Sequence, residues 1–261
     1  MKLQSLAVAC LALFVTSPAA AQQPLASPPT SPQFLSRYDF HLSAAALAND
    51  DQRYSWDTHF GGEVDVVDYV VGRTTSIINY QAVLGNEFRP FDPYQSNYIL
   101  EIATSYRLPR TEVAAFFHHV SRHLGDRPKV FPVAWNILGV RVLRHATFRN
   151  LSVDFKGELG GTTQRVNADY VWSGKADVIV RRPLSPRVGV FAHGVGHLMG
   201  VESATATRGT QAGGVAEGGI RIAGEAAAAE FFAGFERRFD ADPIDFTAQR
   251  WFMVGFRVLR Y

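Results

Sequence analysis

Three residues close together in this chain could cleave an ester: His119, Ser121 and Asn136. A serine hydroxyl is a weak nucleophile until a base takes its proton. Histidine titrates near the operating range and can be that base. An amide can hold the imidazole in the needed tautomer in place of a carboxylate. The run Thr111–Asp126 reads as a strand passing into a loop. Val113, Ala115, Phe117, His119, Ser121 and His123 share one of its faces, because successive side chains alternate. That face is apolar for half its length, then carries an imidazole and a hydroxyl two residues apart. The return strand starts at Ala134 and presents Asn136, Leu138, Val140 and Val142 on the matching face, so Asn136 is a lone amide among apolar neighbours. A loop that closes symmetrically sets Ser121 directly across from Asn136, with Cβ atoms about 5 Å apart. The competing reading is that His119 and Ser121 are interfacial side chains, since polar groups cost little at the rim of a membrane barrel.

The elements that must position these residues have period two. In Tyr54–Val66, Trp56, Thr58, Phe60, Val64 and Val66 oppose Ser55, Asp57, His59, Glu63 and Asp65. Leu151–Leu159 and Tyr170–Val180 repeat the alternation. Strands are expected at 37–48, 54–68, 74–84, 97–107, 111–123, 134–144, 151–159, 169–180, 187–198, 218–225, 228–238 and 250–261. They are longer than ordinary strands and suit a tilted membrane crossing. Short links (70–73, 108–110, 146–150, 226–227) alternate with longer ones (85–96, 124–132, 160–167, 199–217, 239–249). The pattern predicts an all-β fold, an antiparallel transmembrane β-barrel of about 12 strands. Its lumen face carries both signs, among them Asp57, Glu63, Asp65, Glu101, Arg141, Asp154, Lys156, Glu158, Lys175, Asp177, Arg221, Glu230 and Glu236. Opposite charges can pair across a narrow interior, which favours a filled lumen over a wide pore. His118 and Arg122 fall on this inner face. His193 and His197 lie four apart, but on a strand rather than a helix, which argues against a metal pair.

The 261 residues carry 26 Lys and Arg against 24 Asp and Glu, a net charge of +2, and so give no case for nucleic-acid binding. The single cysteine, Cys10, precludes a disulfide framework. Residues 1–21, with Lys2, an apolar run and Ala19-Ala20-Ala21, read as a cleaved secretory signal, with a lipid anchor at Cys10 as the rival. Residues 22–36, rich in Pro, Ser and Ala, read as a flexible leader, and 37–261 as the barrel. No later stretch approaches the ~20 apolar residues of a membrane helix. An exported chain whose further spans are strands belongs in the outer membrane, in contact with its lipids.

The final strand, Arg250–Tyr261, ends on an aromatic residue. It resembles the C-terminal signal of bacterial outer-membrane proteins, which implies the barrel-assembly machinery as a partner. Phe252, Val254, Phe256 and Val258 form its cleaner apolar face, whereas Leu259 and Tyr261 share the other with Arg257. His119-Val120-Ser121, followed by Asn136, resembles outer-membrane phospholipase A, a twelve-strand barrel with a His-x-Ser dyad and a downstream Asn on its lipid-facing surface. The resemblance covers some thirty residues and the overall architecture. It departs at Arg122-His123, where the phospholipase has Asn-Gly. The longer run His119-Val120-Ser121-Arg122-His123-Leu124-Gly125-Asp126 is similar to one in uncharacterised Gram-negative outer-membrane proteins. The phospholipase resemblance implies a lipid-ester hydrolase acting at the outer leaflet, with Ser121 as nucleophile, His119 as base and Asn136 orienting it. It also implies calcium, for which Asp126 is a candidate ligand, and a homodimer. A passive channel or a structural barrel are the function classes that compete with it.

Overall fold

The computed structural model describes residues 28–125, 131–204 and 207–260. The signal read at 1–21 lies outside them, as does Asp126. Twelve strands follow one another: β1 (Gln33–Ala48), β2 (Trp56–Asp68), β3 (Arg73–Gly85), β4 (Asp92–Leu108), β5 (Thr111–Leu124), β6 (Val133–Phe148), β7 (Leu151–Val166), β8 (Tyr170–Pro183), β9 (Val188–Val201), β10 (Gln211–Ala223), β11 (Ala227–Arg238) and β12 (Gln249–Arg260). Each pairs antiparallel with the next, and β12 returns to β1, closing the barrel. The number and class of strands are those the alternation predicts.

Connections alternate between two rims. The turns 69–72, 109–110, 149–150, 184–187 and 224–226 lie at the rim where β1 begins. The links 49–55, 86–91, 167–169 and 239–248, with residues 125, 131–132, 202–204 and 207–210 of two further links, lie at the opposite rim, called here the loop rim. Several strands run longer than expected. β7 extends through 160–166, where the sequence suggests a loop, β10 starts seven residues earlier than the alternation indicates, and β1 begins at Gln33, within the Pro- and Ser-rich stretch 22–36. Glycine and small polar residues masked these ends. They weaken the alternation, but backbone pairing holds them: 162–166 on β6, 211–217 on β9 and 33–39 on β2.

The outer face is apolar: Ile102, Leu138, Val140, Phe252 and Val254 are all more than half exposed. Tyr106 and Phe148 ring the turn rim, and Tyr80, Tyr98, Trp172 and Phe252 the loop rim. In β12 it is Phe252, Val254 and Phe256 that point outward, while Arg257 points inward and pairs with Glu217 and with Glu230.

The inner face is a lattice of ion pairs. Arg141 joins Glu101 (2.7 Å) to Glu158 (2.6 Å). Arg73 joins Asp65 to Glu112, and Arg238 joins Asp57 to Glu236. His193 bridges Asp177 and Glu217, each at 3.0 Å, and so is a link in this lattice. A charge withdrawn from water needs such partners, because an uncompensated one costs several kcal/mol. The Arg141 guanidinium lies over the Phe116 ring, and that ring occupies the space a side chain at position 139 would need, so Gly139 is required beneath it.

At the loop rim, residues 239–248 fold into the barrel mouth. Phe239, Asp240, Ala241 and Asp242 are buried. Asp242 accepts the backbone N–H groups of Ile244 and Asp245, the turn expected of an Asp-Pro sequence. The barrel wall grips this inward loop from several sides. Arg122 donates to the carbonyls of Asp240 (2.6 Å) and Ala241 (2.8 Å), and Gln95 donates to Ala241 (2.7 Å). Tyr170 and Arg208 each hold the Asp240 carboxylate at 2.5 Å. Tyr94 bonds Asp242, and Arg53 reaches Asp242 and Asp245 at 3.1 Å. Arg208 also binds Asp169 on the neighbouring loop, and this hydrogen bond holds the Asp169 carboxyl below the usual carboxylate range.

Candidate functional site

β5 carries its chemistry at the loop-rim end of an apolar stripe. Val113, Ala115 and Phe117 are exposed on the outer face, and His119, Ser121 and His123 continue it half-buried. The register with β6 sets His119 opposite Asn136, Phe117 opposite Leu138, and Ser121 opposite Ala134. Symmetric loop closure therefore misplaces the pairing by two residues, and the partner of Asn136 is His119 rather than Ser121. A two-residue slip leaves every side chain on the same face and still matches apolar with apolar, so the alternation does not discriminate between the registers.

This register makes the amide–imidazole contact direct. His119 Nδ1 lies 2.6 Å from Asn136 Oδ1. Asn136 Nδ2 in turn donates to Gln164 Oε1 at 2.8 Å, which turns the amide oxygen toward the ring. A carbonyl oxygen only accepts, so Nδ1 carries the ring proton and Nε2 is left as the basic nitrogen. A β-bulge brings Gln164 into line. The ladder between β6 and β7 shifts between Asn136 and Ile137, so that Asn136 pairs with Gln164 while Ile137 pairs with Thr162. Bulges re-aim side chains in this way next to functional sites. Gly160–Asn167 resembles a loop in sequence, which hides Gln164. The polar run Thr162-Thr163-Gln164 after Leu159 was the one available signal.

Ser121 completes a different pair. Its Oγ lies 2.8 Å from His123 Nε2, and the His123 ring stands edge-on to Tyr98 with centroids 5.4 Å apart. Ser121 is thus flanked on its own face by two imidazoles. Each is two residues away along the strand, about 6.8 Å at the backbone. His119 with Asn136, and Ser121 with His123, are the two halves that the structure brings together. The inner neighbours differ in kind: His118 bonds Glu101 at 3.0 Å, and Arg122 grips the inward loop. His193 and His197 share one inner face of β9. There His193 bonds Asp177 and Glu217, and His197 bonds Ser173 at 2.8 Å. Among the described residues, no three His, Cys, Asp or Glu side chains stand close enough to hold a metal ion.

No protein-family model and no curated protein matches the chain. Solved structures do. Outer membrane phospholipase A from Escherichia coli superposes with a TM-score of 0.50 at 11% identity, over 86% of this chain and 92% of that one. An active-site mutant of the same protein gives 0.50 at 13% identity, over 92% and 95%. OmpT of Vibrio cholerae gives 0.45 at 8% identity, over 86% and 97%. At these identities the likeness is one of fold: the chain has the closed antiparallel barrel of outer-membrane proteins.

Proposed function

We propose that the chain is an outer-membrane barrel that hydrolyses lipid esters at the outer leaflet, with Ser121 as nucleophile, His119 as base and Asn136 as the residue that orients the base. The observation that carries this reading is the 2.6 Å contact between His119 and Asn136 on the outer wall, with Ser121 next on the same face.

The membrane setting is supported by the exposed apolar wall, which would be untenable in water, and by the aromatic residues at both rims. Strands of 12 to 17 residues exceed the 9–11 or so that a tilted crossing requires. The loop rim then faces outward, and Tyr98 and Tyr80 mark headgroup depth. A hydroxyl there meets the ester bonds of phospholipids.

Turning Ser121 by one staggered step about its Cα–Cβ bond takes the hydroxyl from the His123 side toward His119, a motion of the ordinary ps–ns kind. His119 Nε2 accepts the hydroxyl proton as Oγ attacks the ester carbonyl. Collapse of the tetrahedral intermediate breaks the carbon–oxygen bond of the leaving alcohol, which takes the proton from His119. Water then cleaves the acyl-serine by the same route. Asn136 keeps the ring in place while it is cationic.

The family resemblance extends the proposal to a homodimer and to calcium. The candidate calcium ligand Asp126 lies outside the described residues, and no step is routed through calcium. Outer-membrane lipids and the barrel-assembly machinery complete the proposed partners. A non-enzymatic barrel is the second reading, favoured by the bond of Ser121 to His123 rather than to His119.

The test is phospholipid hydrolysis by refolded protein in mixed micelles, with and without calcium, beside Ser121→Ala, His119→Ala and His123→Ala. Loss in the first two variants, with modest change in the third, is the expected result. No hydrolysis by well-folded wild type would leave the non-enzymatic barrel standing.

A further inference from the structure

The lumen holds a cavity of about 180 Å³ beneath the inward loop, on the opposite side of the β5 wall from Ser121. By the measure of 10–15 Å³ per water it has room for about a dozen water-sized groups. Two of its walls differ in chemistry. One is apolar, with Phe116, Trp135 and Phe239; the other presents Ser173, Lys175 and His197.

The ionic lattice that fills the rest of the lumen stops at this cavity. Glu158, which also lines it, is already held by Arg141 at 2.6 Å and by Lys156 at 3.9 Å. His118 is spent on Glu101, and Asp240 on Arg208 and Tyr170. Arg238 is paired with Asp57 and Glu236. Lys175, by contrast, has no hydrogen bond or ion pair among the described residues, although it sits across the ladder from Glu158 on one side and from His197 on the other. The cavity's arginine at the top, Arg122, binds backbone carbonyls and Gln95 and has no carboxylate of its own. Beside Lys175 a second donor is unused: among the described residues the buried Trp135 indole N–H has no partner. A buried amine and an orphaned indole N–H around one space, neither with an acceptor among the described residues, are costly unless something accepts from them.

We propose that this cavity binds a small organic monoanion, a carboxylate with a short apolar or aromatic body, received by Lys175 and the Trp135 N–H and seated against Phe116 and Phe239. The negative charge meets Lys175, which has no ion pair among the described residues, and the body replaces water against the aromatic wall. The site is independent of the hydrolase reading, because its residues face inward where His119, Ser121 and Asn136 face outward.

The experiment is titration of refolded barrel in detergent with 4-fluorobenzoate, followed by fluorine NMR, beside 4-fluorobenzamide, with inorganic phosphate read as a competitor that displaces the benzoate. Saturable binding of the benzoate is expected, with the neutral benzamide and phosphate each at least tenfold weaker. Lys175→Met is expected to weaken benzoate binding at least tenfold, Trp135→Phe several-fold, and Lys175→Arg to retain it. Ser121→Ala should bind as the wild type does, which separates failure here from failure of the hydrolase. Equal binding of benzamide would overturn anion recognition, and equal binding of phosphate would overturn the role of the aromatic wall. No saturable benzoate binding at millimolar concentration would overturn the site altogether. The comparison of probes on wild type decides the matter even where a lumen variant does not refold.

Discussion

Asn136→Ala is the perturbation that isolates the chemistry from the fold. Asn136 sits half-buried on the outer wall and pairs with His119 and Gln164. Alanine there removes a polar group from an apolar surface, so the barrel should still assemble and keep its heat-modifiable gel mobility. What disappears is the acceptor for His119 Nδ1–H at the moment the ring becomes cationic. A hydrogen bond to a charged group contributes about 1.5–3 kcal/mol. Each 1.36 kcal/mol is tenfold in rate, so kcat should fall by about 10- to 150-fold. KM should change little, because Asn136 is read as holding the base rather than the lipid. Gln164→Ala acts one bond further out and loses a neutral contact of about 1 kcal/mol, giving roughly a fivefold loss. Asn136→Asp supplies a carboxylate and should retain activity while moving the acidic limb of the pH–rate profile upward, since an anion beside His119 favours its protonated form. The assay is initial rate of phospholipid hydrolysis in mixed micelles across pH. If Asn136→Ala stays within twofold of wild type while Ser121→Ala is dead, His119 is not the base and the role passes to His123.

Three further outcomes are expected. Arg122→Ala removes the guanidinium that grips the Asp240 and Ala241 carbonyls and should shift the inward loop toward an open position by at least about 3 kcal/mol, a hundredfold or more in population. Single-barrel conductance in planar bilayers should then show frequent openings, and unchanged traces would refute the loop as the closure. Arg141→Ala leaves Glu101 and Glu158 facing one another and should cost about 3–5 kcal/mol. The readout is a lowered midpoint of thermal gel-shift unfolding, largely recovered when both glutamates are also changed to Gln. The Asp169 carboxyl is held low by Arg208, so its stabilisation is present above the unfolded value near 3.8 and is lost as pH falls through the lower folded value. Hydrogen exchange in residues 207–210 and 239–243 should therefore be flat from pH 7 to 5 after correction for intrinsic rates, and rise below about pH 4.

The barrel was legible because a wall between lipid and a charged interior imposes strict alternation, and residues such as Glu101, Arg141 and Asp177 fall on it without exception. The faces of His119, Ser121 and Asn136 followed from the same rule. Their partners did not. A two-residue register shift moves Asn136 from Ser121 to His119 without exposing a single apolar side chain, so nothing in the pattern penalises the wrong choice. Gln164 reaches Asn136 only through a bulge, and a bulge inserts a residue that no period announces. The inward loop was equally hidden. Asp240 and Asp242 look like ordinary loop carboxylates until arginines from three separate segments, Arg53, Arg122 and Arg208, are gathered around the barrel mouth.

The closure of β12 on β1 has a consequence for how the molecule is made. Among the described residues that seam joins Phe40–Ala48 to Phe252–Arg260 through nine residue pairs, the shortest ladder, while the next shortest have ten. It also links the two ends of the chain, separated by some two hundred residues, so its loop-closure entropy is the largest of any pairing. Zipping this edge is therefore the entropically costliest pairing, and without Gln249–Arg260 both β1 and β11 would present an unpaired edge. The seam is correspondingly the place where the finished wall would first part under strain. It lies on the far side of the barrel from β5, so such parting would leave the outward serine and its two imidazoles undisturbed.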